Sequence, residues 1–193
     1  MATKVKILAF SGALRAESFN HKLLLVALQG AKDAGADVTV ISLRDFPMPL
    51  YDQEIEDATG IPEHAKRFKE LMKSHHGFLI ASPEYNSSVT AVLKNSLDWA
   101  SRMEDGEKEL AAFSGKVAGL ISASPGSLGG LRGLAHLRVV LGNIQTLVIP
   151  EQFALSNAYR AFAEDGSMIE PKSVERAKSV ARRLVEVTTK LQA

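Results

Sequence analysis

Residues 5–28 read VKILAFSGALRAESFNHKLLLVAL, and the fold class can be inferred from their order of apolar and polar residues. Val5–Phe10 is a short run of almost continuous hydrophobicity, which is typical of a strand covered on both faces of a parallel sheet. From Leu23 to Ala34 apolar residues recur with the spacing of a helix. The stretch therefore predicts a strand, a polar loop over residues 11–20 and a helix, in that order.

Four more apolar runs of the same kind follow: Val38–Ser42, Gly77–Ala81, Val117–Ser122 and Ile144–Ile149. Each precedes a stretch with helical spacing, so the pattern indicates an α/β fold with helices on both faces of a parallel sheet. We expect one domain over residues 1–193, a three-layer sandwich with five strands in the order 2-1-3-4-5. Residues 44–60 and 151–171 are predicted to be long loops, the second with a hairpin around Asp165-Gly166.

Composition excludes several classes of function. The chain has 193 residues, of which 46% are hydrophobic, and 23 Lys and Arg against 22 Asp and Glu leave a net charge of +1. That balance provides no basic surface for nucleic acid or for an anionic membrane. The absence of cysteine excludes disulfides, thiolate metal sites and cysteine nucleophiles. The histidines show no ligand spacing, so we predict no metal site, and without a targeting or membrane-spanning segment we expect a cytoplasmic protein.

The loop after the first strand has the residues of an anion site. Arg15 supplies a positive charge, Ser18 and Asn20 supply side-chain donors, and the start of the following helix attracts negative charge. The alternative is that Ser18 or Asn20 only caps the helix. Capping accounts for one of these residues and leaves the others unexplained, so the pattern favours phosphate binding.

The loops after the third and fourth strands should border the same crevice, since ligands of such sheets bind beyond the carboxyl ends of the strands where strand order reverses. After the third strand, Tyr85 offers a flat ring to a planar ligand, although alone it also fits a half-buried tyrosine that seals a turn. After the fourth, a Gly- and Ser-rich loop lets a ligand approach the backbone. Neither a G-x-G-x-x-G nor a Walker sequence is present, so FMN fits better than a dinucleotide or a nucleoside triphosphate.

Three motifs in these regions resemble the NADPH-dependent FMN reductase family, and within it the bacterial quinone and chromate reductases. They are G-x-L-R-x-x-S-F-N at residues 12–20, P-E-Y-N at 83–86 and L-K-N-x-x-D-W-x-S-R at 93–102. The strings L-Y-D at 50–52 and G-G-x-R at 129–132 also match, so the resemblance extends from Val5 to about Phe153. Ala13 departs from the serine that is common in the family and removes one hydroxyl from the expected phosphate site.

The resemblance implies a flavodoxin-like fold, FMN as cofactor, and homodimers or homotetramers. It implies that the FMN phosphate and ribityl chain are bound by Arg15, Ser18, Phe19 and Asn20. It places along the isoalloxazine ring Pro83, Glu84, Tyr85 and Asn86. It places at the other edge of the ring Ser122, Ala123, Ser124 and Gly126.

The function that follows is an oxidoreductase in which NADPH or NADH passes a hydride to flavin N5. The acceptor is then a quinone, chromate, an azo compound, ferric iron or free flavin. No acid–base residue is assigned, and Tyr85 and Asn86 are expected nearest the ring. Two other interpretations stay open: a flavodoxin-like electron carrier or redox-sensing partner without enzyme activity, and a module that binds another phosphorylated metabolite. Arg132 and Arg138 are expected in salt bridges between subunits.

Overall fold

Five parallel strands form one sheet in the computed structural model, which describes residues 4–193. The strands are β1 (Lys6–Ser11), β2 (Asp37–Ser42), β3 (Gly77–Ala81), β4 (Val117–Ala123) and β5 (Leu147–Leu155). Their order is β2-β1-β3-β4-β5, and all neighbouring strands pair in parallel. This confirms the predicted sheet and its strand order.

Helices cover both faces of the sheet. They are α1 (Phe19–Asp33), α2 (Gln53–Thr59), α3 (Glu63–Ser74), α4 (Ala91–Ala100), α5 (Leu131–Asn143) and α6 (Pro171–Leu191). Successive residues of a strand point to opposite faces, so Ile7 and Ala9 join the core under α1 and α6, whereas Leu8 and Phe10 join the core under α3, α4 and α5. The result is the three-layer sandwich that the sequence predicts.

The fifth strand lies later in the chain than predicted. The sequence predicts it over Ile144–Ile149, but Ile144 caps the end of α5 and β5 runs from Leu147 to Leu155. β5 is an edge strand with alternating exposed and buried residues, so its sequence lacks the continuous hydrophobicity of the central strands. Its pairing with β4 shifts register between Ala118 and Leu120, opposite the part of β5 that contains Pro150.

The predicted long loops contain local structure. Residues 44–60 include α2, whose first turn is capped by the Asp52 carboxylate through a hydrogen bond of 2.8 Å from the Glu54 N–H. In the later excursion Phe162 pairs with Met168, and Gly166 takes a φ of 82° between them, which confirms the predicted hairpin. None of the helices within residues 4–193 is long and apolar enough to cross a membrane.

Candidate functional site

Three loops meet at the carboxyl ends of β1, β3 and β4 and border a partly open cleft of about 90 Å³. This volume is below the roughly 300–1,000 Å³ that is typical of enclosed small-molecule sites, so only part of a ligand of that size fits inside the cleft. The residues that line it are Ala13, Arg15, Ser18, Phe19, Asn20, Pro83, Glu84, Tyr85, Ala123, Ser124 and Pro125. The structure thus brings most of the sequence-predicted site residues together, and it adds Ala13 and Pro125.

The loop from Gly12 to Ser18 is anchored at its beginning and open in its middle. The Gly12 N–H donates to the Ala81 carbonyl at 2.9 Å, and the Thr90 hydroxyl donates to the Gly12 carbonyl at 2.6 Å. A Cβ atom at Gly12 would lie 3.0 Å from the Leu93 side chain, so a larger residue would have to displace Leu93. The backbone N–H groups of residues 13–17 donate no hydrogen bond to any residue of the described chain. These amides are therefore available to a ligand.

The donors around the open loop fit a phosphate group. Arg15 forms no salt bridge with any of the residues 4–193, and its guanidinium lies 5.9 Å from the centre of the Phe19 ring. The Ser18 oxygen accepts a hydrogen bond from the Asn20 N–H at 3.2 Å, which leaves the Ser18 hydroxyl proton free to donate. A free guanidinium, free amides, a hydroxyl and the start of α1 are together the donor set that a phosphate needs.

Asn20 has a different environment from the other residues of this loop. Its side-chain N–H donates to the Ala123 carbonyl at 2.8 Å, and its side-chain oxygen accepts from the Ala123 N–H at 2.9 Å. The side chain is buried, so these two bonds join the start of α1 to the end of β4. Asn20 thereby sets the distance between two of the three loops.

The loop after β3 is a tight turn at the rim of the cleft. Tyr85 and Ser88 exchange backbone hydrogen bonds of 2.9 and 3.0 Å, and between them Asn86 and Ser87 have φ values of 50° and 68°. Two central residues with positive φ are the mark of a type I′ turn, which Asn accepts readily and Ser less so. The turn leaves the Tyr85 side chain 63% exposed beside the cleft, whereas Asn86 is not among the lining residues.

The Glu84 side chain is bound within the chain. Its carboxylate accepts from the Arg132 side chain at 2.8 Å and from the Gly133 N–H at 3.0 Å. The expectation that Arg132 bridges subunits stays a prediction, and within one chain Arg132 binds a carboxylate that faces the start of α5. Arg138 is also bound inside the chain, to the Gln152 side chain at 2.8 Å and to the Pro150 carbonyl at 3.1 Å.

Of the predicted residues at the end of β4 and in the loop that follows it, some line the cleft and others do not. Ser124 lines the cleft, and its oxygen accepts from the Gly126 N–H at 3.2 Å. Ser122 lies outside the lining, since its hydroxyl points at Gly130, where a Cβ atom would be 1.9 Å away. Gly126 is outside the lining as well, and its carbonyl accepts from Gly129 and Asn157 at 3.3 Å.

Comparison with known protein families and curated proteins gives matches over most of the chain. The family model described as NADPH-dependent FMN reductase matches residues 5–160. An NAD(P)H-dependent FMN reductase of Pseudomonas aeruginosa is 35% identical over 177 residues, which cover 91% of this chain and 90% of that protein. An NADPH:quinone oxidoreductase of Arabidopsis thaliana is 31% identical over 191 residues, covering 97% of this chain and 94% of the relative.

Solved structures show the same architecture. The flavoenzyme FerB, an NAD(P)H:(acceptor) oxidoreductase of Paracoccus denitrificans, superposes with a TM-score of 0.80 and 28% identity. The alignment covers 96% of this chain and 98% of that one. A flavodoxin from the domain Archaea, at a TM-score of 0.62 and 11% identity, shares the fold.

Proposed function

The chain belongs to the NADPH-dependent FMN reductase family, and from this membership we propose that it reduces quinones at the cleft where its three loops meet. It is an enzyme that uses FMN as cofactor and NAD(P)H as reductant. The observation that carries the proposed site is the free guanidinium of Arg15 beside the unengaged amides of residues 13–17.

The proposed orientation of FMN follows from the chemistry of the loops. The phosphate is held by Arg15, the amides of residues 13–17 and the Ser18 hydroxyl, all of which are donors near the start of α1. Ala13 adds no hydroxyl to this group of donors, so phosphate binding here depends on Arg15, Ser18 and the backbone amides. The ring lies toward Tyr85 and the Ala123–Pro125 loop, because these residues line the same cleft and offer an aromatic wall and small side chains.

The chain's own residues bind and orient rather than transfer protons. When bound, FMN would supply the chemistry of a hydride acceptor and two-electron donor. Among the lining residues Glu84 is bound to Arg132 and Gly133, so its carboxylate is not available as a base. The exposed Tyr85 ring borders the opening through which both substrates enter.

Quinones are the acceptor class that the relatives support best. Relatives from Arabidopsis thaliana and Escherichia coli are named quinone oxidoreductase and quinone reductase. A flat, uncharged ring also suits an opening bordered by an exposed tyrosine. Chromate, azo compounds, ferric complexes and free flavin are further candidate acceptors, to be ranked by kcat/KM under identical conditions.

Replacing Arg15 tests the proposed phosphate site. We expect Arg15→Gln to weaken FMN binding about 10- to 100-fold, because a hydrogen bond to a charged group contributes about 1.5–3 kcal/mol. Riboflavin, which has no phosphate, should bind the variant and the parent protein equally. Arg182→Gln is the matched control, since Arg182 pairs with Glu175 on the surface of α6. Titration of flavin fluorescence measures both affinities, and equal weakening of FMN and riboflavin contradicts the assignment.

Steady-state kinetics test the use of one cleft by both substrates. If NAD(P)H and the quinone occupy it in turn, double-reciprocal plots of initial rate against NAD(P)H concentration, measured at several quinone concentrations, give parallel lines. Intersecting lines indicate a ternary complex and contradict a shared cleft. Rapid mixing with NADPH under anaerobic conditions tests the electron-carrier alternative, because a carrier keeps the absorbance of oxidised flavin whereas a reductase loses it.

The proposal includes a homodimer or homotetramer in the cytoplasm. Several large apolar side chains are exposed on one copy, among them Leu50 at 74%, Val139 at 73% and Met103 at 60%. Burial of such side chains between copies is favourable. The use of NAD(P)H supports the proposed cytoplasmic location. Light scattering should give the mass of two or four chains, and Leu50→Glu should lower it if Leu50 lies in the interface.

A further inference from the structure

The helix α5 begins without a capping side chain of its own. Gly130 occupies its N-cap position, and no side chain from that position bonds to the first turn. The first N–H groups of a helix need acceptors, and the helix start favours negative charge. The Glu84 carboxylate fills this role from outside the helix, since it accepts the N–H of Gly133 at 3.0 Å.

Glu84 is held there as a buried, charged group. Its side chain is 7% exposed, and its second oxygen accepts from the Arg132 side chain at 2.8 Å. Burial alone raises the pKa of Glu84, but the bonds from Gly133 and Arg132 outweigh it and hold the pKa below its ordinary value. The carboxylate therefore stays ionised at neutral pH.

The surfaces of α5 and the Tyr85–Ser88 turn are in close contact. A Cβ atom at Gly133 would lie 3.2 Å from both the Glu84 Cβ and the Ser88 carbonyl oxygen, so the absence of a side chain allows the helix to approach the turn. One turn further along α5, the His136 ring lies 3.1 Å from the Ser88 hydroxyl. Two successive helical turns of α5 thus contact the Tyr85–Ser88 turn.

These contacts fix the position of a wall of the cleft. The internal hydrogen bonds between Tyr85 and Ser88 set the shape of the turn, and Glu84 fixes its place on α5. Pro83, Glu84 and Tyr85 all line the cleft. The distance from this wall to the phosphate-binding loop therefore depends on the bond between Glu84 and α5.

We propose that Glu84 and Arg132 are positioning residues that hold the Tyr85 turn on α5 and so set the ring-binding part of the cleft. The inference rests on the proposed FMN site, which it deepens: Glu84 acts through the turn rather than on the flavin. Loss of the Glu84–Arg132 pair should weaken binding of the ring and leave the phosphate site intact. FMN and riboflavin should then be affected by the same factor, unlike in Arg15→Gln.

The test compares Glu84→Gln and Arg132→Met with two references. Arg132→Lys keeps the positive charge, so it should lose less flavin affinity than Arg132→Met. Arg138→Met is the second reference, since it removes an arginine of the same helix that bonds to Gln152 instead. In the FMN-free protein, we expect hydrogen exchange of the Ser88 and Gly133 amides to be at least about tenfold faster in Glu84→Gln and Arg132→Met than in the parent. Arg138→Met should exchange at the parental rate at these two amides.

Flavin titration gives the second readout. Glu84→Gln and Arg132→Met should weaken FMN and riboflavin equally, by about tenfold. Unchanged exchange at Ser88 and Gly133 contradicts the proposal that Glu84 and Arg132 hold the turn on α5. Faster exchange with unchanged flavin affinity contradicts the role of this contact in shaping the cleft. If Glu84→Gln does not fold, the two Arg132 variants still test whether the Glu84–Arg132 pair holds the turn on α5. If the parent binds neither flavin, the proposed function fails, while the exchange data still report whether Glu84 and Arg132 hold the turn.

Discussion

At the scale of single residues, two asparagines use their side chains as an extra peptide group. Asn20 exchanges two hydrogen bonds with the backbone of Ala123. Asn95 in α4 does the same with the loop before α2, donating to the Pro49 carbonyl and accepting from the Tyr51 N–H, each at 2.8 Å. Both pairings resemble a step of a β-ladder, and each joins a helix to a distant loop.

Replacing Asn20 with aspartate should separate the loops of the cleft. Asp accepts from the Ala123 N–H but cannot donate to its carbonyl, so a buried acceptor is left without a partner. We expect Asn20→Asp to lower the free energy of unfolding by about 1–3 kcal/mol and to weaken FMN binding at least about tenfold, measured by urea unfolding and flavin titration.

Asn95→Asp is the control for this prediction. It breaks the same kind of pairing outside the cleft, so it should lower stability by a similar amount with FMN affinity within about threefold of the parent. Parental unfolding in Asn20→Asp would show that the pairing with Ala123 contributes nothing.

The sequence indicated where the site residues lie but not which of their atoms are free. Arg15, Ser18 and Tyr85 were placed in one crevice because the ends of neighbouring strands must meet. That Asn20 is bound to Ala123, and that Ser122 faces Gly130, depends on partners that local patterns do not reveal. Hydrogen bonds across such a sequence separation become visible only when the loops are in place.

At the scale of elements, α1 and α6 approach each other at Gly30. A Cβ atom there would lie 2.2 Å from the Lys178 carbonyl oxygen, so the two helix backbones are almost in contact. α6 also supplies buried residues to the core beneath α1, among them Ala177 and Leu184. The family match ends at residue 160, before this helix begins. Because α6 packs against α1 and contributes to the core, we propose that the FMN-binding domain includes it.

Alanine should have opposite effects at two helical glycines. Gly30→Ala must push α1 and α6 apart, and we expect it to destabilise the protein by about 1–3 kcal/mol, as overpacking does. Gly142→Ala, in α5, meets nothing within 4 Å and should stabilise it by about 0.5–1 kcal/mol. Thermal and urea unfolding measure both changes, and a stabilising Gly30→Ala contradicts the close contact.

The success of prediction also differed between elements. β1 and β3 are buried on both faces, and their continuous hydrophobicity located them. β5 lies at the edge of the sheet and is less covered, so its hydrophobic pattern predicts a start at Ile144 rather than at Leu147. α2 was missed because it is short and has no buried residue.

At the scale of the whole molecule, one buried charge network stands apart from the cleft. The Lys69 side chain is 1% exposed and bonds to the Glu107 carboxylate. Glu107 also bonds to Lys73 at 2.6 Å, and so joins α3 to the segment after α4. Burial alone raises the pKa of Glu107, but the bonds from these lysines outweigh it and lower the pKa from its ordinary 4.5 to about 2.

Acid should therefore destabilise the protein through this network. A carboxyl group whose pKa is lowered by folding contributes stability above its ordinary pKa and loses it as pH falls, here between about 4.5 and 2. Glu107→Gln should cost about 3 kcal/mol at pH 7, because Lys69 stays buried without a full partner, and should flatten the loss of stability with acid. Urea unfolding from pH 7 to pH 3 measures both effects.

An exposed pair provides the control for this network. Glu186→Gln, which weakens surface contacts with Arg183 and Lys190, should change stability by less than about 1 kcal/mol. An equal cost for the two substitutions would mean that burial of Lys69 is unimportant.

The register shift in β5 has a consequence for aggregation. Pro150 has no N–H to offer a further strand, the Arg138 side chain already occupies its carbonyl, and Glu151 adds a charge beside it. An edge interrupted in this way is a poor template for strand addition, so growth of an extended intermolecular sheet is blocked on this side. Amyloid-like association would have to begin at the opposite edge, where β2 contains no proline.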